Sequence, residues 1–152
     1  MKKNLEIKPM KGFGDLKFGA DQQTVEKYFG PPQETETLDV EDEIHDVEVW
    51  SYWELGHSVY FEKEQKDVCT NFETDNEEAT MFGEEIFNFD EQQLVDLMKN
   101  NGFSDMEVEE EEAGEKILFF PEAHIQFVFE DEELALVSWA VAMDDDDNIL
   151  WP

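Results

Sequence analysis

Apolar positions recur along the 152-residue chain in two rhythms. Val25, Tyr28, Phe29 and, further on, Leu94, Leu97, Met98 are each spaced i, i+3, i+4, which lines one face of a helix. Asp21 and Asp90 stand where an N-cap belongs, so a carboxylate can accept from the free N–H groups of the first turn. Gly30-Pro31-Pro32 stops the first helix and Asn101-Gly102 the second. These signals predict short amphipathic helices over residues 22–29 and 91–100. Elsewhere the period is two. His57, Val59, Phe61 and Ile125, Phe127, Phe129 alternate with their neighbours as strands do. Further strands are expected near Val47–Trp53, Val68–Phe72, Ile117–Phe120 and Leu134–Val141. The links between them are short, so the strands should run as antiparallel meanders.

The pattern repeats. Residues 12–30 align without a gap on residues 81–99. Phe13, Gly14, Phe18, Asp21 and Gln23 fall on Phe82, Gly83, Phe87, Asp90 and Gln92. Downstream, Tyr60-Phe61-Glu62-Lys63-Glu64 resembles Val128-Phe129-Glu130-Asp131-Glu132. The expected fold class is therefore α+β: two tandem helix-plus-antiparallel-sheet repeats, residues 1–75 and 76–152, each helix-strand-strand-strand, forming one compact unit. One helix per repeat covers one face of a sheet and leaves the other to water or a partner.

The segment Leu16-Lys17-Phe18-Gly19-Ala20-Asp21 through Gly30-Pro31-Pro32 resembles the opening motif of the superfamily that joins the BamE/SmpA lipoproteins and the β-lactamase inhibitory protein. The shared features are a Gly before the helix cap, a Val inside the helix, an apolar pair and Gly-x-Pro. The resemblance implies a tandem repeat whose sheet offers a concave, aromatic-rich binding surface. In type, a small acidic protein of this kind is also similar to immunity proteins, which neutralise a toxin.

Charge sharpens that expectation. The chain carries 41 acidic and 10 basic residues, a net charge of −31, although 40% of it is hydrophobic. Every basic residue is Lys. Residues 1–75 hold 8 Lys and 18 acids, net −10, and residues 76–152 hold 2 Lys and 23 acids, net −21. Such a field repels nucleic acid and anionic membranes and speeds encounter with a basic protein. The competing reading is that acidity serves solubility alone. Cys69 is the only cysteine, so no intramolecular disulfide forms, as suits a reducing compartment. The first residues lack the apolar core of a signal peptide. The longest near-apolar stretch, Leu134 to Met143, is about half of a membrane helix. The expected location is cytoplasmic, with no membrane and no nucleic acid as partner.

Candidate partner-binding residues are the aromatics Trp50, Tyr52, Trp53 and Trp139 and the acids Glu109, Glu110, Glu111 and Glu112. Trp and Tyr bring large contact area at little entropic cost, with core packing as the alternative. Trp50 and Tyr52 share one strand face and Trp53 takes the other, so one set should reach the open side. The acids sit in the run Glu107–Glu112, an electrostatic contact or else a solvated loop, in which Val108 could start a strand that sets alternate Glu residues on one side. Asp144, Asp146 and Asn148 match the first three ligands of an EF-hand loop, but Ile149 replaces its Gly, which excludes that site. Ile149, Leu150 and Trp151 suggest a tail docked on the body. His45, His57 and His124 are the histidines; His57 and His124 lie at related places and could pair at a metal, but their spacing is long and no Cys cluster helps, which favours structural or surface roles. Cys69 with a histidine could pair as nucleophile and base, against the alternative of a buried thiol. No phosphate-cradling Gly-rich loop occurs, and neither cofactor nor metal is expected.

The function expected from the sequence is a non-enzymatic, acidic binding protein that occludes a basic protein partner, as an immunity protein or inhibitor neutralises a toxin or enzyme. The alternatives are a DNA-mimic regulator and a small enzyme. Acids ringing an aromatic centre would favour the first, carboxylates spaced like phosphates the second, and a deep pocket with convergent polar groups the third.

Overall fold

The structure is a computed structural model that describes residues 5–39, 46–63, 66–111, 114–146 and 148–152. His45 and Glu112 lie outside the described residues. The chain opens with three short strands, β1 (Glu6–Lys8), β2 (Gly12–Phe13) and β3 (Leu16–Lys17), then helix α1 (Gln22–Phe29). Four strands follow: β4 (Glu34–Asp39), β5 (Asp46–Tyr52), β6 (His57–Glu62) and β7 (Val68–Thr74). After β8 (Thr80–Met81), a 3-10 turn at Ile86–Asn88 and helix α2 (Glu91–Asn100) come four more: β9 (Glu107–Glu110), β10 (Glu115–Phe120), β11 (Ile125–Glu130) and β12 (Glu133–Ala140). The hairpin β13 (Ala142–Met143) and β14 (Ile149–Leu150) closes the chain.

Both helices start where their caps place them. Asp21 Oδ1 accepts from the Thr24 N–H at 2.8 Å, and Gly30 ends α1. Asp90 and Gln93 form a reciprocal capping box, with Gln93 N–H on Asp90 at 2.8 Å and Asp90 N–H on Gln93 at 2.9 Å.

The fold class departs from the expectation. Of the described residues 47% lie in strands and 17% in helices, so the chain is mostly β rather than a pair of helix-plus-sheet repeats. Eight strands form one antiparallel sheet in the order β4-β5-β6-β7-β12-β11-β10-β9. It runs unbroken across residue 75, because β7 pairs with β12 and places Phe72 opposite Trp139. A second sheet, β3-β2-β1-β8, also crosses that point through the parallel pair β1 and β8. The aligned segments diverge as well: Phe13 is wholly buried, while Phe82 is 36% exposed and stacks on Phe103.

Strand β4 was absent from the periodicity, and β9 was marked only by Val108 within the acidic run, because both are acidic and expose almost every residue. They form the two edges of the large sheet. Charged side chains there block the edge-to-edge pairing that bare edges invite.

One face of the large sheet is the floor of the core. Across it run Tyr52, His57, Thr74, Val137, Phe127 and Leu118, each opposite the next in register. Beside that row runs Trp50, Val59, Phe72, Trp139, Ile125 and Phe120. The small sheet and both helices close this face. Phe13 of β2 meets the rings of Phe29, His57, Phe72 and Trp139, with centroids 5.8, 4.9, 5.9 and 5.1 Å away. Replacing Phe13 with Ala removes contacts to four rings on four elements and should cost about 3–5 kcal/mol, measured as a shift of the urea midpoint at constant slope.

His57 is buried among these rings. Its Nδ1 lies 2.7 Å from Thr74 Oγ1, and its Nε2 has no hydrogen-bond partner. Burial pushes its pKa down from 6.5 to about 4. Between those values the unfolded chain binds a proton that the folded chain refuses, so this contribution to stability is present above pH 6.5 and is lost as pH falls towards 4. A shift of that size corresponds to roughly 3 kcal/mol. In urea unfolding at about pH 7 and about pH 4.5, wild type should lose roughly 2–3 kcal/mol more than His57→Phe, since the carboxylates common to both cancel. Equal losses would refute the assignment.

Candidate functional site: the open face of the large sheet

Side-chain hydrogen bonds tie the covered face of the large sheet to the residues of the helices, their caps and the small sheet. Tyr52 Oη donates to Gly30 O at 3.0 Å, Trp139 Nε1 to Gly12 O at 3.0 Å, and Cys69 Sγ to Lys17 O at 3.4 Å. Gln22 donates to Glu48. Lys116 Nζ lies 2.8 Å from Glu91 of α2 and 3.7 Å from Glu110 of β9. The hydrogen bond to Glu91 and then the Glu91 charge hold the Lys116 pKa above its ordinary value.

The alternate residues of the same strands make the other face. One row crosses all eight strands in register: Glu34, Ser51, Ser58, Glu73, Ser138, Gln126, Phe119 and Glu107. A second joins Leu136, Val128, Ile117 and Glu109. Phe119, Ile117, Val128 and Leu136 therefore form one apolar patch, each side chain partly exposed. Glu107 and Glu109 border it along β9, and Glu115, Glu130 and Glu133 border it at the strand ends. A smaller patch, Val49 and Tyr60, lies towards β4 beside Glu36. Tyr60 Oη donates to Glu73 Oε1 at 3.0 Å, and burial followed by the Glu73 charge pushes its pKa up to about 12. The eight strands contain one lysine, Lys116, which sits on the covered face. The open face therefore carries carboxylates without a strand lysine to offset them.

The aromatics singled out by sequence divide differently from the expectation. Trp50, Tyr52 and Trp139 are core residues, exposed by 8%, 1% and 1%, and all three belong to the covered face. As anchors for a partner they are corrected: each spends its polar atom inside the protein, Trp50 on Glu48 at 2.8 Å, Tyr52 on Gly30 and Trp139 on Gly12. Trp53 is 67% exposed, in the turn that joins β5 to β6. Of the acids, Glu109 stands on the open face beside Ile117, whereas Glu110 belongs to the covered side with Lys116. Glu111 is exposed just beyond β9, its N–H on Glu115 O at 2.8 Å.

Phe119, Ile117, Val128, Leu136 and Tyr60 were not singled out by sequence. Their signal was present in Ile117-Leu118-Phe119-Phe120, an unbroken apolar run that marks a strand with two apolar faces.

The remaining candidates have structural roles. Burial pushes the Cys69 thiol up to about 11. Cys69 lies five residues along β7 from Thr74, the residue opposite His57, which is about 16 Å of strand and too far for Cys69 and His57 to pair as nucleophile and base. Asp144 Oδ1 accepts from the N–H groups of Asp146 and Asn148, both at 2.9 Å, which closes the turn of the last hairpin and lowers the Asp144 pKa. Among the described residues no group of His, Cys, Asp or Glu is arranged to hold a metal ion. No helix among them is long and apolar enough to cross a membrane.

No family model, curated protein or solved structure matches the chain.

The division between core and surface aromatics is testable by unfolding. Trp139→Phe leaves the Gly12 carbonyl without its donor and should cost about 1–3 kcal/mol. Trp53→Ala should stay within about 0.5 kcal/mol of wild type.

Proposed function

We propose that this chain is a non-enzymatic, acidic binding protein whose open sheet face occludes a basic protein partner, in the manner of an immunity protein that neutralises a toxin or enzyme. The observation that carries the reading is the patch of Phe119, Ile117, Val128 and Leu136, rimmed by glutamates on a face with no strand lysine. Apolar contacts at the centre of an interface supply most of its affinity. The rim of like charge steers a basic partner and speeds encounter. The same rim acts against self-association, because two copies of this face would set carboxylate against carboxylate.

The resemblance of residues 16–32 to the inhibitor superfamily supports the same reading. A DNA mimic needs rows of carboxylates spaced like phosphates. Here the rows are interrupted by Val49, Tyr60, Val128 and Ile117, which favours a protein over a nucleic-acid-binding surface as target. The buried, neutral His57 and the protonated Cys69 thiol weigh against catalysis.

The test is a tagged capture from native lysate at low salt and at about 0.5 M salt, where the Debye length is only a few ångströms. One stoichiometric partner should survive the salt. Phe119→Lys should then weaken that purified partner by about thirtyfold or more, while Trp50→Phe, on the covered face, leaves it bound. Basic proteins that all wash off, or a partner indifferent to Phe119→Lys, would refute the reading.

A further inference from the structure

The lysines concentrate where the acids are not. In β1, Ile7 points into the core, so Lys8 points away from the large sheet. The register places Lys8 opposite Gly12, and Gly12 opposite Lys17. The two lysines thus flank a residue without a side chain, two strand spacings or about 10 Å apart. Lys11 joins them from the turn between β1 and β2, which is held by its own N–H on Lys8 O at 3.0 Å. Met10, in the same turn, has a left-handed φ of 64°, a conformation that costs energy for a side chain of its size.

These lysines line a groove with a cavity volume of about 600 Å³, within the usual range of small-ligand sites. Its apolar wall comes from Met10, Ala142 and Leu150. Leu150 is 51% exposed, yet it is fixed: β13 and β14 pair Ala142 with Leu150, and the Asp144 turn closes that hairpin. Asp15 is the one acidic side chain on the lining. Among the described residues Lys8, Lys11 and Lys17 have no ion-pair partner, although the chain carries 41 acids.

From this juxtaposition we infer that the groove binds a small organic anion with an apolar body, its carboxylate or phosphate head held by Lys8, Lys11 and Lys17 and its body laid on Met10, Ala142 and Leu150. Elsewhere the net charge of −31 repels anions, so the lysine cluster selects the place where one can settle. The apolar wall rewards a chain over a bare ion, because each buried methylene contributes about 0.8 kcal/mol. This site is independent of the open face and of its partner.

The test uses the full chain and decanoate, followed by titration calorimetry, with decanol and acetate as controls. Decanoate should bind saturably with a stoichiometry of one, and acetate should not. The double variant Lys8→Gln/Lys17→Gln should weaken decanoate by about tenfold or more, with the thermal midpoint unchanged. Leu150→Glu, which alters only an exposed residue of the wall, should weaken it as well. Absence of saturable decanoate binding at millimolar ligand, decanol binding as tightly as decanoate, or binding unaffected by the lysine variant would each overturn the assignment.

Discussion

The close approach of β2 to the large sheet is the contact on which the rest of the structure depends. Gly12 offers its carbonyl to the Trp139 indole N–H, and Phe13 next to it fills the space between Phe29, His57, Phe72 and Trp139. A Cβ on Gly12 would lie 1.9 Å from the Leu16 carbonyl oxygen, so no larger residue fits between β2 and β3 there. Through this contact the small sheet seals one face of the large one. Which face is sealed then decides every other question of exposure: Trp50, Tyr52 and Trp139 become core, and Phe119, Ile117, Val128 and Leu136 are left towards solvent.

The same choice sorts the charge. The covered face keeps its ionic groups in local pairs, as Lys116 with Glu91 and Glu110 shows. The open face keeps its glutamates unneutralised along β9 and at the strand ends, and the outer side of the small sheet gathers Lys8, Lys11 and Lys17. A chain of net charge −31 is thereby polarised rather than uniformly acidic. Such an arrangement suits recognition, since a local potential is set by the nearest few groups within a Debye length and not by the sum over the chain. The acidic edges β4 and β9 add a second effect, because their charge discourages a further strand from pairing at either end of the eight.

Much of the secondary structure was legible. Both helices occupy the residues that their caps and apolar triplets mark, because a cap is a local bond between residues three apart, as in Asp21 with Thr24 and Asp90 with Gln93. The central strands are legible for a similar reason: His57, Val59 and Phe61 face one way because a strand alternates. The edges were faint, since Glu107-Val108-Glu109-Glu110 has no buried side to impose a pattern and only Val108 hints at a strand. The candidate site was only partly legible. Glu109 was found, but Trp50, Tyr52 and Trp139 stood in for the residues that surround it.

The sequence by itself determined the helix limits, the course of six strands, the solitary buried thiol and the excess of negative charge, each of which rests on residue type or on neighbours a few positions apart. Tertiary structure alone decided that the two halves share one sheet through Phe72 and Trp139, that Gly12 and Phe13 close one face, and that the other keeps its apolar patch inside a ring of glutamates. Alternation divides a strand into two sides but carries no label for which side faces inward. That label comes from contacts between residues as far apart as Gly12 and Trp139, which form only when the chain has folded.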